Sequence, residues 1–175
     1  MAGVIIVMGV SGVGKTTVGQ ALASALDADF AEGDNYHPKD NVEKMRSGQP
    51  LTDDDRWPWL DRLRAAIEAW LDEDRQVVLA CSALKSSYRE RLSPVLGDGP
   101  AKKAVRFVYL HADHDVIEAR LSTRKGHYMP ASLLESQLTT LEPPSDAIVV
   151  DATRPLEAII DDLVSKLTPA HAQAS

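Results

Sequence analysis

Five short runs of apolar and β-branched residues punctuate the chain: GVIIVM at 3–8, ADFAE at 28–32, QVVLA at 76–80, VRFVYL at 105–110 and AIVVD at 147–151. Each is apolar over nearly its whole length, the pattern of strands buried on both faces. Helical patterns separate them. The order β-α-β-α-β predicts an α/β fold with a mainly parallel five-stranded sheet flanked by helices.

The strongest helical signal follows Thr52. Trp59, Leu60, Leu63, Ile67, Trp70 and Leu71 recur at steps of three and four and predict one buried face. Asp53, Asp54 and Asp55 stand just ahead, where negative charge complements the helix dipole. Further helices are predicted over 17–26, over 38–47 with Gly48 ending it, and from 115 to about 124, where Arg120 and Arg124 share a face. Ser132 and Glu135 make a capping-box pattern opening another helix to about 141. Residues 168–175 read as a frayed tail. No repeat, low-complexity tract or linker divides the 175 residues, so 1–175 is expected to be a single domain.

Composition narrows the function classes. A charged fraction of 26% beside 44% hydrophobic residues is ordinary for a globular protein. The net charge of −7 argues against a nucleic-acid or anionic-membrane surface, which needs clustered cations. A phosphorylated ligand stays open, because a few local donors overcome a distant negative field. The single Cys81 permits no intrachain disulfide and suits a reducing compartment. The apolar runs are too short to span a bilayer, and no basic region precedes the first one. A cytoplasmic protein without a signal peptide is expected.

Directly after the first strand comes G-V-S-G-V-G-K-T, residues 9–16, which satisfies G-x-x-x-x-G-K-[ST]. Backbone N–H groups must close around phosphate oxygens, so glycines are needed where side chains would obstruct. Gly9, Ser11, Gly12, Val13, Gly14, Lys15, Thr16 and Thr17 are therefore candidate nucleotide-binding residues. Lys15 would reach the outer phosphates and the Thr16 hydroxyl would bind Mg²⁺. The helix that follows turns its N-terminus toward the same anion. ATP or GTP with Mg²⁺ is the implied ligand.

The next stretch, EGDNYHPKDNVEKMRSGQPLTDDDRWPWL at 32–60, is dense in charge. Ligands of parallel α/β sheets lie beyond the carboxyl ends of strands, and the second strand ends at Glu32. Asp34 is thus placed to take a proton from an acceptor hydroxyl, although Asp after Gly is also a common turn residue. His37 before Pro38 reads equally as a ligand contact or a loop residue. Lys44 lies inside the short helix and counts among the candidate substrate-binding residues. The triplet at 53–55 is explained by helix-start chemistry. Beside it, Arg56 is either turned toward an anionic substrate group or held in an exposed salt bridge.

At this point the chain resembles the gluconate kinases (gluconokinases) of the small P-loop type. The likeness rests on residues 9–16 and 32–60, on C-S-A-L-K-S-S-Y-R-E-R-L at 81–92, on F-V-Y-L at 107–110 and on R-L-S-T-R-K-G-H-Y-M-P-A-S-L-L-E-S-Q-L-T-T-L-E-P-P at 120–144. It runs from about residue 4 to 165. The resemblance implies transfer of the ATP γ-phosphate to the 6-hydroxyl of D-gluconate, on a P-loop kinase fold like those of nucleoside-monophosphate kinases and shikimate kinase. It also implies a homodimer.

Further charged groups gain meaning from that likeness. The segment after the third strand carries Cys81 and Ser82 where many P-loop proteins have a metal-holding Asp. Metal binding then falls to Thr16, with Asp34, through water, as a second candidate. Cys81 itself reads as a small buried residue. Ser82, Lys85 and Arg89 are expected at the substrate, with Lys85 and Arg89 on one helix face as a carboxylate or polyol clamp. Spacing alone fits a solvated basic face as well. Arg120, Arg124, Lys125 and His127 surround Gly126, where a mobile lid at about 120–135 would bring cations over the γ-phosphate. Arg124 is expected to act in catalysis with Lys15 and Asp34, and His127 to meet substrate. A surface ion pair with Glu118 is the alternative for either arginine. Arg154 resembles a residue packed on adenine, or serves its loop. Two other readings stay open: a kinase of shikimate, nucleosides or nucleotides, and an ATP-sensing module without transfer.

Overall fold

The computed structural model describes residues 3–93, 104–123 and 131–168, with 131 and 132 by backbone alone. The strands are β1 (Gly3–Met8), β2 (Asp29–Glu32), β3 (Gln76–Ala80), β4 (Val105–His111) and β5 (Ile148–Asp151). The helices are α1 (Lys15–Leu26), α2 (Lys39–Arg46), α3 (Asp53–Asp72), α4 (Ser86–Leu92), α5 (His114–Thr123), α6 (Ala131–Thr140) and α7 (Leu156–Leu167), with a 3₁₀ turn at Gly33–Tyr36. All five strands lie within one residue of the expected runs.

They form one sheet in the order β2-β3-β1-β4-β5, and every pairing is parallel. Residues 4–8 of central β1 are at most 1% exposed. Successive strand side chains point to opposite faces, so a run buried throughout must be covered on both sides. Helices α1 and α7 pack together as one layer, and α3 with α4 as the other. From β1 the chain passes to β2 at one edge, returns through β3, and continues on the far side in β4. The strand order therefore reverses beside β1, where parallel α/β sheets place their ligands.

Helix α3 shows how local chemistry positions the site. Thr52 Oγ1 accepts from the Asp55 N–H at 3.2 Å while the Asp55 carboxylate accepts from the Thr52 N–H at 2.8 Å, a capping box built with Asp. Trp59, Leu60, Leu63, Ile67 and Trp70 form the buried face as expected, with Leu71 half-buried. Arg56 extends that stripe and is itself buried. Of the two readings of Arg56, the exposed salt bridge is not found among the described residues: position 56 falls on the core side of the helix, and Arg56 reaches Asp53 only through the Tyr88 hydroxyl.

The predicted clamp on one face of α4 does not form. Lys85 has extended backbone (φ −98°, ψ 150°) and precedes the helix, so its side chain departs separately from that of Arg89. Helix α6 opens where the Ser132 pattern predicts, but the Ser132 side chain lies outside the described residues. So do Arg124, Lys125, Gly126 and His127, within the middle part of the expected lid at 124–130, and tail residues 169–175.

Candidate active site

The phosphate loop leaves β1 at Gly9, whose φ of +146° is the first structural demand. A Cβ there would lie 2.7 Å from the Leu110 carbonyl oxygen, so no side chain fits without moving β4. The Gly9 N–H donates to the Ser82 carbonyl at 3.3 Å, joining the loop to the segment after β3. Gly14 caps α1 in the left-handed region, and no side chain caps the helix. With no side chain capping it, α1 turns its N-terminus, where negative charge is favoured, toward the loop.

The loop is held partly by its own backbone and partly by groups far away in sequence. Lys15 Nζ donates to the Val10 carbonyl at 3.0 Å, folded back over the loop. Thr16 Oγ1 donates to Glu32 Oε2 at 2.7 Å. The Ser11 N–H donates to Gln137 Oε1 at 2.7 Å, and Gln137 Nε2 to Ser11 Oγ at 3.3 Å, which ties the loop to α6. Glu32 and Gln137 were not legible as site residues in the sequence. Glu32 ends a strand, a position that signals the active rim, but Gln137 carries no local signal.

The acidic turn lies against the same rim. A Cβ on Gly33 would meet the Ala80 carbonyl at 2.5 Å, so the turn packs directly on the end of β3. Trp59 Nε1 donates to the Gly33 carbonyl at 2.9 Å and fixes the turn from α3. Asp34, next in the chain, is 78% exposed at its side chain. Behind it the thiol of Cys81 is buried. Burial first, and then the carboxylates of Asp34 and Glu32, push that thiol up to about 12 against the opposing Lys15 charge. One buried sulfur thus senses the loop lysine and both carboxylates. Cys81 is no nucleophile in that state.

His37 closes the turn. Its ring stacks on Trp59 with centroids 4.1 Å apart and planes 16° from parallel. Its Nδ1 lies 3.3 Å from Asn41 Nδ2, and its Nε2 lies 3.8 Å from Asp34 Oδ1. Burial outweighs the Asp34 charge and lowers the imidazole to about 4, so the ring is neutral near pH 7.

Beyond the turn lies a polar network from α3 and α4. Buried Arg56 donates from Nη1 to the Tyr88 hydroxyl at 2.9 Å, and Tyr88 donates in turn to Asp53. Lys85 Nζ lies 3.0 and 3.1 Å from the two Asp53 oxygens. The Tyr88 bond first, and then the Lys85 bond, hold the Asp53 carboxyl below its usual range. Tyr88 is pushed up to about 12 by burial and by Asp53. Lys44 pairs with Asp55 at 2.6 Å, and this bond, with the Thr52 N–H, lowers Asp55 to about 2. The triplet is thus divided: Asp55 caps the helix and holds Lys44, whereas Asp53 joins Tyr88 and Lys85.

Arg89 takes a different course. Its guanidinium donates to the carbonyls of Ala83 (2.8 Å), Leu84 (3.1 Å) and Glu142 (2.9 Å), and the residue is buried. It braces the rim from inside. Arg89→Ala should leave these carbonyls short of donors and cost roughly 2–3 kcal/mol of stability, read from urea unfolding. Unchanged stability would return Arg89 to a ligand-facing role.

On the opposite side of the loop, Gly12, Val13, Gly14, Thr17, Arg120 and Arg154 line a cleft of about 360 Å³ with Ala152, Leu156 and Ile159. Arg120 donates to the carbonyls of Val13 (3.0 Å) and Ala152 (2.7 Å), which clasps the loop to the segment after β5. Its predicted alternative partner, Glu118, faces His114 instead, at 3.7 Å. Arg154 is exposed, 3.6 Å from Asp162. A cleft with apolar walls beside an anion-binding loop has the form of a nucleoside pocket.

Known proteins resemble this chain over nearly its whole length. A family model described as an AAA domain matches residues 4–144. Gluconokinase of Gluconobacter oxydans (strain 621H) is 47% identical over 167 residues, covering 91% of this chain and 88% of that protein. The crystal structure of a gluconokinase from Sinorhizobium meliloti 1021 superposes with a TM-score of 0.77 at 44% identity, covering 99% and 98% of the two chains. Shikimate kinase from Bacteroides thetaiotaomicron shares the fold at a TM-score of 0.64 and 18% identity, covering 94% and 98%. With identity of this order running almost end to end, the chain belongs to the gluconokinase family.

Proposed function

We propose that the protein transfers the γ-phosphoryl group of ATP to the 6-hydroxyl of D-gluconate, giving 6-phospho-D-gluconate and ADP. Family membership supports the acceptor. The geometric support is the 2.7 Å bond from Thr16 to Glu32, which joins the phosphate loop to the strand end that precedes Asp34. In this reading the gluconate oxygen attacks the γ-phosphorus and its proton passes to Asp34. The bond from the γ-phosphorus to the β,γ-bridging oxygen breaks, and its electrons leave with ADP. Lys15 swings from the Val10 carbonyl to the phosphates, and Arg124 balances charge from the lid at about 120–135.

The nucleoside occupies the cleft lined by Arg120 and Arg154. The acceptor lies over the segment at about 33–75, met by His37, Lys44, Arg56, Ser82, Lys85 and His127. The carboxylate of the acceptor suits Lys85 and Arg56, whereas Arg89 shapes the rim behind them. Magnesium fits the donor chemistry here, a hydroxyl beside a carboxylate. Thr16 and Glu32 would hold it, with Asp34, through water, as a further candidate. Bound there, it would supply neutralising charge at the β- and γ-phosphates. A single cytoplasmic domain working as a homodimer completes the proposal. Among the described residues no helix is long and apolar enough to cross a membrane.

Coupled ADP release over a panel of sugar acids, shikimate and nucleoside monophosphates tests the acceptor. Turnover is expected with D-gluconate above the others. Preference for shikimate or a nucleotide would replace the acceptor, and ATP binding without ADP release from any would replace the reaction.

A further inference from the structure

Asn41 is one of few polar side chains in the core, 5% exposed, and it belongs to neither the phosphate loop nor the cationic network. Its Nδ2 donates to the Asp55 carbonyl at 2.8 Å and lies 3.3 Å from His37 Nδ1. A carbonyl oxygen only accepts, so the atom facing Asp55 must be the amide nitrogen rather than the amide oxygen. The same nitrogen then presents its second hydrogen to His37, and Nδ1 must be the acceptor. A neutral imidazole accepting at Nδ1 carries its proton on Nε2. That proton faces Asp34, whose Oδ1 is 3.8 Å away.

The frame around this relay is rigid. Trp59 backs the His37 ring by stacking and grips the Gly33 carbonyl with its indole N–H. The same helix therefore fixes both ends of the His37–Asp34 approach. The separation of 3.8 Å exceeds a hydrogen bond, but catalytic contacts commonly shorten in the substrate complex.

We propose that Asn41 is a positioning residue for phosphoryl transfer: it locks His37 in the Nε2–H tautomer, so that the imidazole orients the Asp34 carboxylate and leaves its second oxygen for the acceptor proton. This rests on the reading of Asp34 as the proton acceptor. Without the lock, the imidazole would turn a lone pair toward the carboxylate in part of the population, and Asp34 would lose its fixed aim.

Long-range ¹H–¹⁵N NMR of the histidine side chains in the full-length protein reads the tautomer directly. The expected result is Nε2–H at His37 in the wild type and a mixture in Asn41→Leu, with kcat falling roughly ten- to a hundredfold. An Nδ1–H tautomer in the wild type would overturn the proposal. Should Asn41→Leu fail to fold, two His37 variants decide. His37→Gln keeps an N–H near the Nε2 position and should recover most of the kcat lost in His37→Asn, with KM for ATP steady in both. Equal kcat in the two variants would reduce His37 to packing. Asp34→Asn, run alongside, separates the outcomes: a dead Asp34→Asn with an unimpaired His37→Asn sinks the relay alone, and an active Asp34→Asn sinks the base assignment beneath it.

Discussion

Lys15→Ala should abolish measurable phosphoryl transfer while leaving the protein folded. The loss expected on removing one preorganised charge from a transferring phosphoryl group is at least about a hundredfold in kcat. The wild-type ammonium donates to the Val10 carbonyl at 3.0 Å, inside its own loop, so its removal opens no gap in the core. Circular dichroism and the unfolding midpoint should therefore remain close to wild type. Turnover near the wild-type rate would refute the nucleotide assignment for residues 9–16, because Lys15 is the one basic residue of that loop.

Asp34→Asn is the second decisive change. The amide keeps the size of the carboxylate and cannot accept the acceptor's proton. Loss of a general base typically costs about 10²–10⁴ in rate, and the deficit should appear in kcat with ATP affinity unchanged. Asp34 is largely exposed, and the His37 ring beside it is neutral near pH 7 and stands 3.8 Å away, so stability should barely move. Isothermal titration with a non-hydrolysable ATP analogue measures the affinity arm. A change confined to KM for gluconate would make Asp34 a substrate-positioning group instead of the base.

These variants probe groups that could be named from the chain alone, and it is instructive which ones could not. Arg56 was visible as a cation beside three carboxylates, the natural local partners. The structure pairs it with Tyr88, which lies 32 positions later. Helical geometry explains the change: residue 56 shares the buried stripe of Trp59, Leu60 and Leu63, whereas residues 53–55 sit at the helix entrance. Lys85 and Arg89 looked equivalent by spacing. One precedes the helix and reaches Asp53, and the other turns inward to three carbonyls. Arg120 showed a similar outcome, bonded to Val13 and Ala152 instead of a surface carboxylate.

The amino-acid order by itself determined the positions of the five strands, the helix after Thr52, the phosphate loop and the family. All of these are written in short-range patterns: periodicity encodes burial, and glycine spacing encodes a backbone path. Of the strands expected to be buried on both faces, however, only β1 and β3 are, whereas β2, β4 and β5 keep exposed positions because they lie toward the sheet edges. Only the tertiary structure decided the partner of each charged or polar group. Glu32 meets Thr16 across 16 positions and Gln137 meets Ser11 across 126. A hydrogen bond is set within a few tenths of an ångström, and that distance depends on how helices seat on the sheet. Local pattern carries no record of it.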